Sequence, residues 1–322
     1  MASTPPQFTA VSSSTRQLLL LLRCISFTKK ALVRISADGL RFSTEEGSTM
    51  EAFVFLDKAL FTSYTFHPSP PPSSQDDPPG PPTFEINLDS LLETLNIFAL
   101  SDPTSSKTHG PSDFAAYRLQ RHAGINAFSN RALGVTGVCT LGYAGAGSAL
   151  HIHLAEAGVS TTCALTTYEA AHTDEIPFAR DRLALKAILR ASSLLDAVAE
   201  LSSLSPASVL VTATPAGTLS FSAAGALGSA TVAFSTATSS ETPVLETFHC
   251  PARVGAHYRF AALKAAQRAM GAAAKVSVRV DGEGVLSLQF LVEVDAGGAV
   301  GGGGGEGELE GEEGGSAGEE SD

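Results

Sequence analysis

The stretch FTAVSSSTRQLLLLLRCISFTKKALVRISADGLRF, residues 8–42, contains the unit from which the fold of the whole chain is predicted. It begins with Phe8–Ser12, whose alternation of apolar and polar residues is typical of a strand. Ser14 then predicts a helix N-cap, because Gln17 follows three residues later, as in a capping box. The leucine-rich segment that comes next predicts a helix over Arg16–Phe27.

The same order of elements recurs along the chain, which indicates an internal repeat. The first copy continues with strands at Leu32–Ile35, Leu40–Thr44 and Met50–Leu56, the first two joined by a tight turn at Ala37-Asp38-Gly39. The other copies begin with strands at Phe84–Asn87, Arg182–Leu189 and His257–Ala261. These lead into helices at Leu88–Phe98, from Ser192 or Ser193 to Leu201, and at Leu263–Met270.

The third copy can be interpreted in two ways. Arg182, Lys186 and Arg190 are spaced by four and would form one basic stripe on a long helix. The same residues would share one face of a strand, since all three positions are even-numbered. The register of the repeat favours the strand, with Ser192 as the break before the helix.

Two copies in each half predict an α+β fold in which each domain has antiparallel sheet with two helices on one face. The N-terminal domain is predicted over residues 1–167, with surface loops at 67–83 and 101–134 that are rich in Pro, Ser and Gly. A connector is expected at 168–179 and the C-terminal domain at 180–295. Residues 296–322, almost entirely Gly and Glu, predict a disordered acidic tail.

Composition places few limits on the function. The formal net charge is −12, but eight of the 33 acids lie in 296–322, so the remainder has a formal charge of −4. No acid precedes Asp38, and this basic start also resembles a mitochondrial transit peptide, although the repeat favours folded structure. The apolar run Leu18–Leu22 is too short for a membrane span, and the four separated cysteines predict reduced, buried thiols.

Several motifs together resemble one family. They are Ile35-Ser36-Ala37-Asp38-Gly39-Leu40-Arg41-Phe42, the block Phe55-Leu56-Asp57-Lys58-Ala59-Leu60-Phe61-Thr62-Ser63-Tyr64, the run Glu246-Thr247-Phe248-His249-Cys250, and Gly284-Val285-Leu286-Ser287-Leu288-Gln289-Phe290. With matches near Phe8, Leu21, Leu95 and Lys275, they resemble the Rad-one subunit of the nine-one-one checkpoint clamp, a member of the PCNA-like DNA clamp family.

This resemblance implies a DNA sliding-clamp fold, with the helices lining a central hole and the sheets outside. It implies a nuclear heterotrimer with two homologous clamp subunits, a clamp loader that places the ring on double-stranded DNA, and recruitment of repair and checkpoint proteins. No membrane partner, cofactor or enzymatic activity is implied. Two departures are the long insertion at 101–134 and the glycines after Val294, which leave the final strand of the last sheet in question.

A clamp needs basic groups that contact phosphates without reading bases. The candidate DNA-facing residues are Arg16, Arg23, Lys29, Lys30, Lys264, Arg268 and Lys275. Ordinary solvated helix residues are the alternative for each one. The second helix carries Asp89 and Glu93 and the third Asp196 and Glu200, so we expect an unevenly charged hole. In the connector, Ile176 and Phe178 are the candidate partner-binding residues, or else they anchor the connector to the core.

Two other functions remain as alternatives: a 3′–5′ exonuclease acting in DNA repair, and a homotrimeric replicative clamp. The exonuclease would need carboxylates that converge on metal ions. The only suggestive pair is Asp281 and Glu283, in an Asp-Gly-Glu-Gly turn that explains them without catalysis. His151 and His153 share one face of a strand, with no third ligand in evidence, so we expect neither catalytic residues nor a metal site.

Overall fold

The computed structural model describes residues 6–68, 80–99, 138–156, 158–171, 175–237 and 243–293. Within these residues, 18 strands form four antiparallel sheets, and five α-helices accompany them. The strands of the first half are β1 (Phe8–Ser12), β2 (Lys30–Ile35), β3 (Gly39–Glu46), β4 (Met50–Asp57), β5 (Ser63–Phe66), β6 (Thr83–Asn87), β7 (Val138–Tyr143), β8 (Leu150–Glu156), β9 (Val159–Leu165) and β10 (Tyr168–Glu169).

The second half has strands β11 (Leu183–Arg190), β12 (Ser208–Thr214), β13 (Thr218–Gly225), β14 (Gly228–Ser235), β15 (Leu245–His249), β16 (Val254–Arg259), β17 (Lys275–Asp281) and β18 (Leu286–Leu291). The helices are α1 (Thr15–Arg23), α2 (Leu88–Ala99), α3 (Ala191–Ser202), α4 (Phe260–Ala265) and α5 (Gln267–Ala272).

The sheets repeat the same design in both halves. The first half has the strand orders β5-β1-β7-β8-β9 and β10-β6-β2-β3-β4. The second half has the orders β15-β11-β17-β18 and β14-β13-β12-β16. The strand that opens each copy therefore pairs with the first strand after the helix of the other copy in its half. This exchange joins two sequence repeats into one domain-like unit.

Buried side chains form two separate clusters, one in each half. The first includes Phe8, Leu22 and Ile152, and the second includes Leu189, Val198 and Phe221, all fully buried or nearly so. This separation fits the prediction of two domains. The boundaries that the sequence suggested, at residues 167, 179 and 295, stay predictions.

The first helix confirms part of the local prediction. Ser14 is its N-cap, and the Ser14 hydroxyl accepts a hydrogen bond of 3.3 Å from the backbone N–H of Gln17. The helix ends at Arg23 and not at Phe27, because a turn of overlapping backbone hydrogen bonds follows it over Cys24–Phe27. Lys29 thus lies between α1 and β2, outside any helix.

The third copy resolves the choice between helix and strand. Leu183–Arg190 is strand β11, as the repeat register indicated. The prediction that Ser192 breaks it is wrong, since α3 begins directly at Ala191 with Arg190 as its N-cap. The single helix predicted over Leu263–Met270 is also wrong in detail, because Ala266 divides it into α4 and α5.

Three helices share one backbone contact at their first residue. Two of them, α3 and α4, have no side-chain cap, whereas the Asn87 side chain caps α2 by accepting from the backbone N–H of Ser90 at 2.9 Å. The first backbone N–H of α2, at Leu88, donates to the Lys29 carbonyl at 2.7 Å. In the same way, Ala191 donates to Ala274 and Phe260 donates to Ala207, both at 3.1 Å. Each acceptor immediately precedes a strand of the other copy in the same half, so the repeat itself satisfies one of the backbone donors that have no partner within the helix.

The helices form one row across both halves. Helix α1 packs against α2 in the first half, and α5 packs against α3 in the second. Helices α1 and α5 also contact each other, so the order along the row is α2, α1, α5, α3. The Arg268 guanidinium reinforces this junction by donating to the Ser26 carbonyl at 3.2 Å and to the Ser26 hydroxyl.

Three of the sequence predictions lie wholly or mostly outside the described residues. They concern the insertion at 101–134, the tail at 296–322, and a strand after β18. The loop at 67–83 is described only at its two ends, and β6 already begins at Thr83. Among the residues with structure, no helix is long and apolar enough to cross a membrane.

Candidate DNA interface and connector

Each helix has one buried face and one exposed face. In α1 the side chains of Leu18, Leu19 and Leu22 are buried, whereas Arg16 and Arg23 are exposed on the opposite side. The exposed Leu20 lies between these two arginines on the same face. Because the apolar stripe is held against the core, the row of helices presents its polar stripes to one side.

The basic residues concentrate on the two central helices of the row. Arg16 and Arg23 lie on α1, and Lys264 and Arg268 lie on α4 and α5; all four are exposed. Arg23 donates to the side-chain carbonyl of Asn96 at 3.2 Å, and Arg268 binds Ser26. Both partners are uncharged, so the positive charge of these two arginines is not neutralised by the contacts.

Lys30 and Lys275 occupy a different position from the other candidates. Each is the first residue of a strand, β2 or β17, on the sheet face that points away from the core. Lys30 pairs with Glu85 at 3.1 Å and lies over the ring of Tyr168, and Lys275 pairs with Glu246 at 2.6 Å. Contact with DNA stays a prediction for all seven residues, and these two already have a carboxylate partner.

The connector is attached to the outer face of the first-half sheet by carboxylates. The backbone N–H of Ala171 donates to Glu85 at 3.2 Å, and that of Ile176 donates to Glu51 at 3.3 Å. Glu175 also pairs with the Arg41 guanidinium at 3.0 Å. Glu51, Glu85 and Arg41 alternate with core-facing neighbours, so their side chains point outward and the connector crosses that outer face.

The two apolar candidates of the connector are half-buried. Ile176 and Phe178 are neither fully exposed nor part of the buried core. On the same outer face, Phe53 and Phe55 are 54% and 45% exposed, and the Arg41 guanidinium lies 4.5 Å from the centre of the Phe53 ring. An exposed aromatic pair beside a peptide segment is a feature of binding surfaces.

Asp281 anchors the far end of the connector. Its carboxylate accepts hydrogen bonds from the backbone N–H groups of Ala179, Glu283 and Val285 at 2.9–3.0 Å. Burial alone would raise the pKa of this carboxyl, but those N–H groups, with that of Gly284, hold the pKa below its ordinary value. The carboxylate therefore fixes both its own hairpin turn and the entry into the second half.

This arrangement explains the acidic pair that suggested an exonuclease. Asp281 is 2% exposed, with its oxygens already bonded to backbone donors, whereas Glu283 points to solvent and pairs with Arg182. Within the described ranges, no three His, Cys, Asp or Glu side chains are grouped to hold a metal ion. His151 and His153 are exposed on one face of β8, as expected, and His153 bonds to the Thr162 hydroxyl.

The cysteine thiols are also explained by packing. All four are free, but the prediction of buried thiols holds only for Cys139 and Cys250, since Cys24 and Cys163 are half-buried. Burial raises the pKa of the Cys139 thiol to about 12. Burial raises the pKa of Cys24 and Cys250 as well. A thiol with a raised pKa is a weak nucleophile at neutral pH, so Cys24, Cys139 and Cys250 lack the lowered pKa of a reactive cysteine.

Comparison with solved structures defines the class of fold. The structure resembles the crystal structure of PCNA from Thermococcus kodakaraensis, with a TM-score of 0.61 and 19% identity over 88% of this chain and 94% of that one. It also resembles PCNA from Entamoeba histolytica, with a TM-score of 0.64 and 15% identity over 90% and 95% of the two chains. The chain therefore has the two-domain sliding-clamp fold that the sequence predicted.

Comparison of sequences defines the family. Residues 7–292 match the family model described as "Repair protein Rad1/Rec1/Rad17", so the chain belongs to that family. It is 27% identical over 288 residues to the DNA damage checkpoint control protein rad1 of Schizosaccharomyces pombe, covering 88% of this chain and 81% of that protein. It is 26% identical to the human cell cycle checkpoint protein RAD1, over 90% and 88% of the two chains.

The role of Asp281 leads to a prediction about stability. Replacement by Asn removes the charge and turns an amide group toward backbone donors, so we expect Asp281→Asn to lower the free energy of unfolding by about 2–3 kcal/mol at pH 7. The folded-state pKa lies below the unfolded value of about 3.9, so the difference from wild type should be constant above pH 5 and disappear as the pH falls through the folded-state pKa.

Urea unfolding at a series of pH values measures this difference. The matched control is Glu283→Gln, two residues away in the same turn, whose exposed ion pair should contribute at most about 0.5 kcal/mol. Equal stability of Asp281→Asn and Glu283→Gln at pH 7 would contradict the anchoring role of Asp281.

Proposed function

We propose that this chain is one subunit of a heterotrimeric checkpoint clamp, which encircles double-stranded DNA at sites of damage in the nucleus. The observation that carries the proposal is that the row of helices ends, on each side, beside an edge strand that has one open side and no charged residue. The partners are two homologous clamp subunits that complete the ring and a clamp loader that opens it. Repair and checkpoint proteins are then recruited to its outer surface.

The two edges are at opposite ends of the molecule. Helix α2 packs against β8 and β9, and helix α3 packs against β13 and β14. Because α2 and α3 are the outermost helices of the row, β9 and β14 lie beyond them at its two ends. Each is the last strand of its sheet and has no second neighbour among the described strands.

The composition of these edges favours pairing with another chain. Soluble proteins commonly protect an open edge with Lys, Pro or a bulge. Strand β9 reads VSTTCAL and strand β14 reads GSATVAFS, so neither has a charge or a proline. The β13–β14 ladder is regular over its whole length, without a bulge. Such edges suit the extension of a sheet into a neighbouring subunit.

The heterotrimer is preferred over a homotrimeric replicative clamp because of the relatives. The proteins that share this family and cover most of the chain are named for DNA damage or cell cycle checkpoints in Schizosaccharomyces pombe, mouse and human. The likeness to PCNA is in the fold, at 19% and 15% identity. A checkpoint role on DNA also supports the nuclear location.

A non-enzymatic role fits the proposal better than a nuclease. A two-metal nuclease needs several carboxylates with free oxygens near one another. The oxygens of Asp281 are used by backbone N–H groups, and Glu283 lies at the surface. Recruitment of partners is proposed instead for the connector. The backbone of Ile176 is held there by Glu51, which lies on the same face of β4 as the exposed Phe53 and Phe55.

Assembly of the ring tests the proposed function. The wild-type chain, mixed with its two sister subunits, should give a 1:1:1 complex by native mass spectrometry. Thr231→Lys/Ala233→Lys places two charges on β14, and Ser160→Lys/Ala164→Lys places two on β9, on exposed positions of each strand. Each variant should lose one sister and retain the other, and the lost sister should differ between them.

The control for assembly is His151→Lys/His153→Lys on β8. These positions are also exposed, but β8 has a neighbour on both sides, so the 1:1:1 complex should form normally. A ring that survives both edge variants, or a chain that forms a homotrimer by itself, would contradict the proposal.

A second prediction concerns the residues that face DNA. Each lost phosphate contact should reduce the slope of log affinity against log salt by about 0.9. We expect Lys264→Glu/Arg268→Glu to lower retention of the assembled ring on duplex DNA at low salt, with a slope smaller by about 1.8 and no dependence on DNA sequence. Lys264→Glu alone should give about half of this change, without disturbing the Arg268–Ser26 bond.

The control for DNA retention is Arg180→Glu/Arg253→Glu, which makes the same change in charge at exposed residues outside the helices. Filter binding or a retention assay on circular DNA at several salt concentrations measures the slope. Retention like that of wild type at every salt concentration, in an assembled Lys264→Glu/Arg268→Glu ring, would show that α4 and α5 do not face DNA.

A further inference from the structure

The exposed charges of the helix row are segregated by position. The central helices carry Arg16, Arg23, Lys264 and Arg268, and the outer helices carry Asp89, Glu93, Asp196 and Glu200. The numbers of positive and negative charges are equal, so the row as a whole is neutral. Attraction between the helix row and a phosphate backbone therefore depends on where the positive and negative side chains lie, and not on the net charge of the row.

The acids project to the same side of the row as the bases. Asp89 and Glu93 are four apart on α2, and the buried Leu91 and Leu95 lie on the other face of that helix. The same relation holds on α3. There, Asp196 and Glu200 are exposed, and Leu194, Val198 and Leu201 are buried.

Within the part of the chain that the structure describes, none of these four acids forms an ion pair. The ion pairs among the described residues do not include them, even though basic helices lie next to both acidic ones. Arg23, which is the basic residue in contact with α2, bonds to the neutral Asn96 and not to an acid. The opposite charges of adjacent helices thus stay apart along the row.

The spacing of the helices, compared with the Debye length, decides whether a phosphate senses the basic and acidic helices separately. Packed helices lie about 8–10 Å apart. The Debye length is about 8 Å at physiological ionic strength and about 10 Å at 0.1 M. A phosphate over α1 or α5 therefore interacts mainly with the central bases, and a phosphate over α2 or α3 interacts mainly with the acids of that helix.

We propose that the acids on α2 and α3 restrict contact between this subunit and DNA to the junction of its two halves, over α1, α4 and α5. The outer helices repel the backbone, so the subunit contacts the duplex at one narrow patch and leaves the rest of its inner surface clear. Four bases set a limit of about four phosphates, and hence a contribution of about 3.6 to the salt slope of the ring.

This inference rests on the proposed function, because it requires DNA to pass along the row of helices. It predicts a change in DNA affinity opposite to the decrease that is expected when the basic residues are replaced. Removing the acids should strengthen binding, which a purely structural role of these residues would not produce.

The test uses Asp89→Asn/Glu93→Gln and Asp196→Asn/Glu200→Gln in the assembled heterotrimer on duplex DNA. Each variant should raise affinity about three- to fivefold at 50 mM salt, and the gain should vanish near 1 M salt, where the Debye length is about 3 Å. The matched control is Glu46→Gln/Glu169→Gln, which removes two exposed acids from strands and should leave affinity unchanged.

Each outcome has a separate meaning. Wild-type rings that do not bind DNA would overturn the proposed function itself. Rings that bind DNA with unchanged affinity in both acid variants, or with an equal gain in the control, would overturn only the restriction by α2 and α3. Failure of the acid variants to assemble, with their thermal unfolding normal, would assign these acids to subunit contact and would also overturn it.

Discussion

The burial of one apolar stripe on each helix is the constraint on which the rest of the structure depends. Leu18, Leu19 and Leu22 of α1 are almost completely buried, and so are Leu194, Val198 and Leu201 of α3. Each such side chain contributes about 1.5–3 kcal/mol by leaving water. Because the sheets take up these stripes from one side only, the polar stripes of all helices point to the other side. A single polar surface results from hydrophobic packing, without any requirement from DNA.

The same constraint creates the edges of the molecule. Two copies of the unit exchange strands to build one core. The opening strands β1, β6 and β11 lie in the interior of a sheet, whereas β16 lies at an edge. The last strand of each copy is left at the edge of a sheet, as β4, β9, β14 and β18 are. Of these edge strands, β9 and β14 contact the outermost helices α2 and α3, so closure into a ring with neighbours is a natural means of satisfying their backbone groups.

Much of this was predictable from local sequence patterns. The strand β11 and the cap at Ser14 followed from alternation and from short-range hydrogen bonding, and the structure confirms both. The start of α3 did not follow, because its first N–H group is satisfied by the carbonyl of Ala274, 83 residues away in sequence. No side chain caps α3, so the sequence carries no signal at the true boundary and a false one at Ser192.

The candidate site also has features that the sequence predicted and features that only the structure shows. The bases and acids of the helices could be named from the sequence, but the order α2, α1, α5, α3 could not, since it depends on a contact between the two halves. The carboxylates that hold the connector were missed for the same reason. Asp281 lies 102 residues from its hydrogen-bond partner Ala179 in sequence. In the sequence, Asp281 and Glu283 together suggested a metal site instead. Only the contacts reveal Asp281 as an acceptor of backbone hydrogen bonds.

Hydrogen exchange of the backbone amides tests the central claim most directly. The chain is compared alone and in complex with its two sister subunits, without DNA. If the chain is a clamp subunit, the amides of β9 and β14 should exchange more slowly in the complex, whereas those of the edge strand β5 should be unchanged. Unaltered exchange in both β9 and β14, with protection at other strands, would contradict the account.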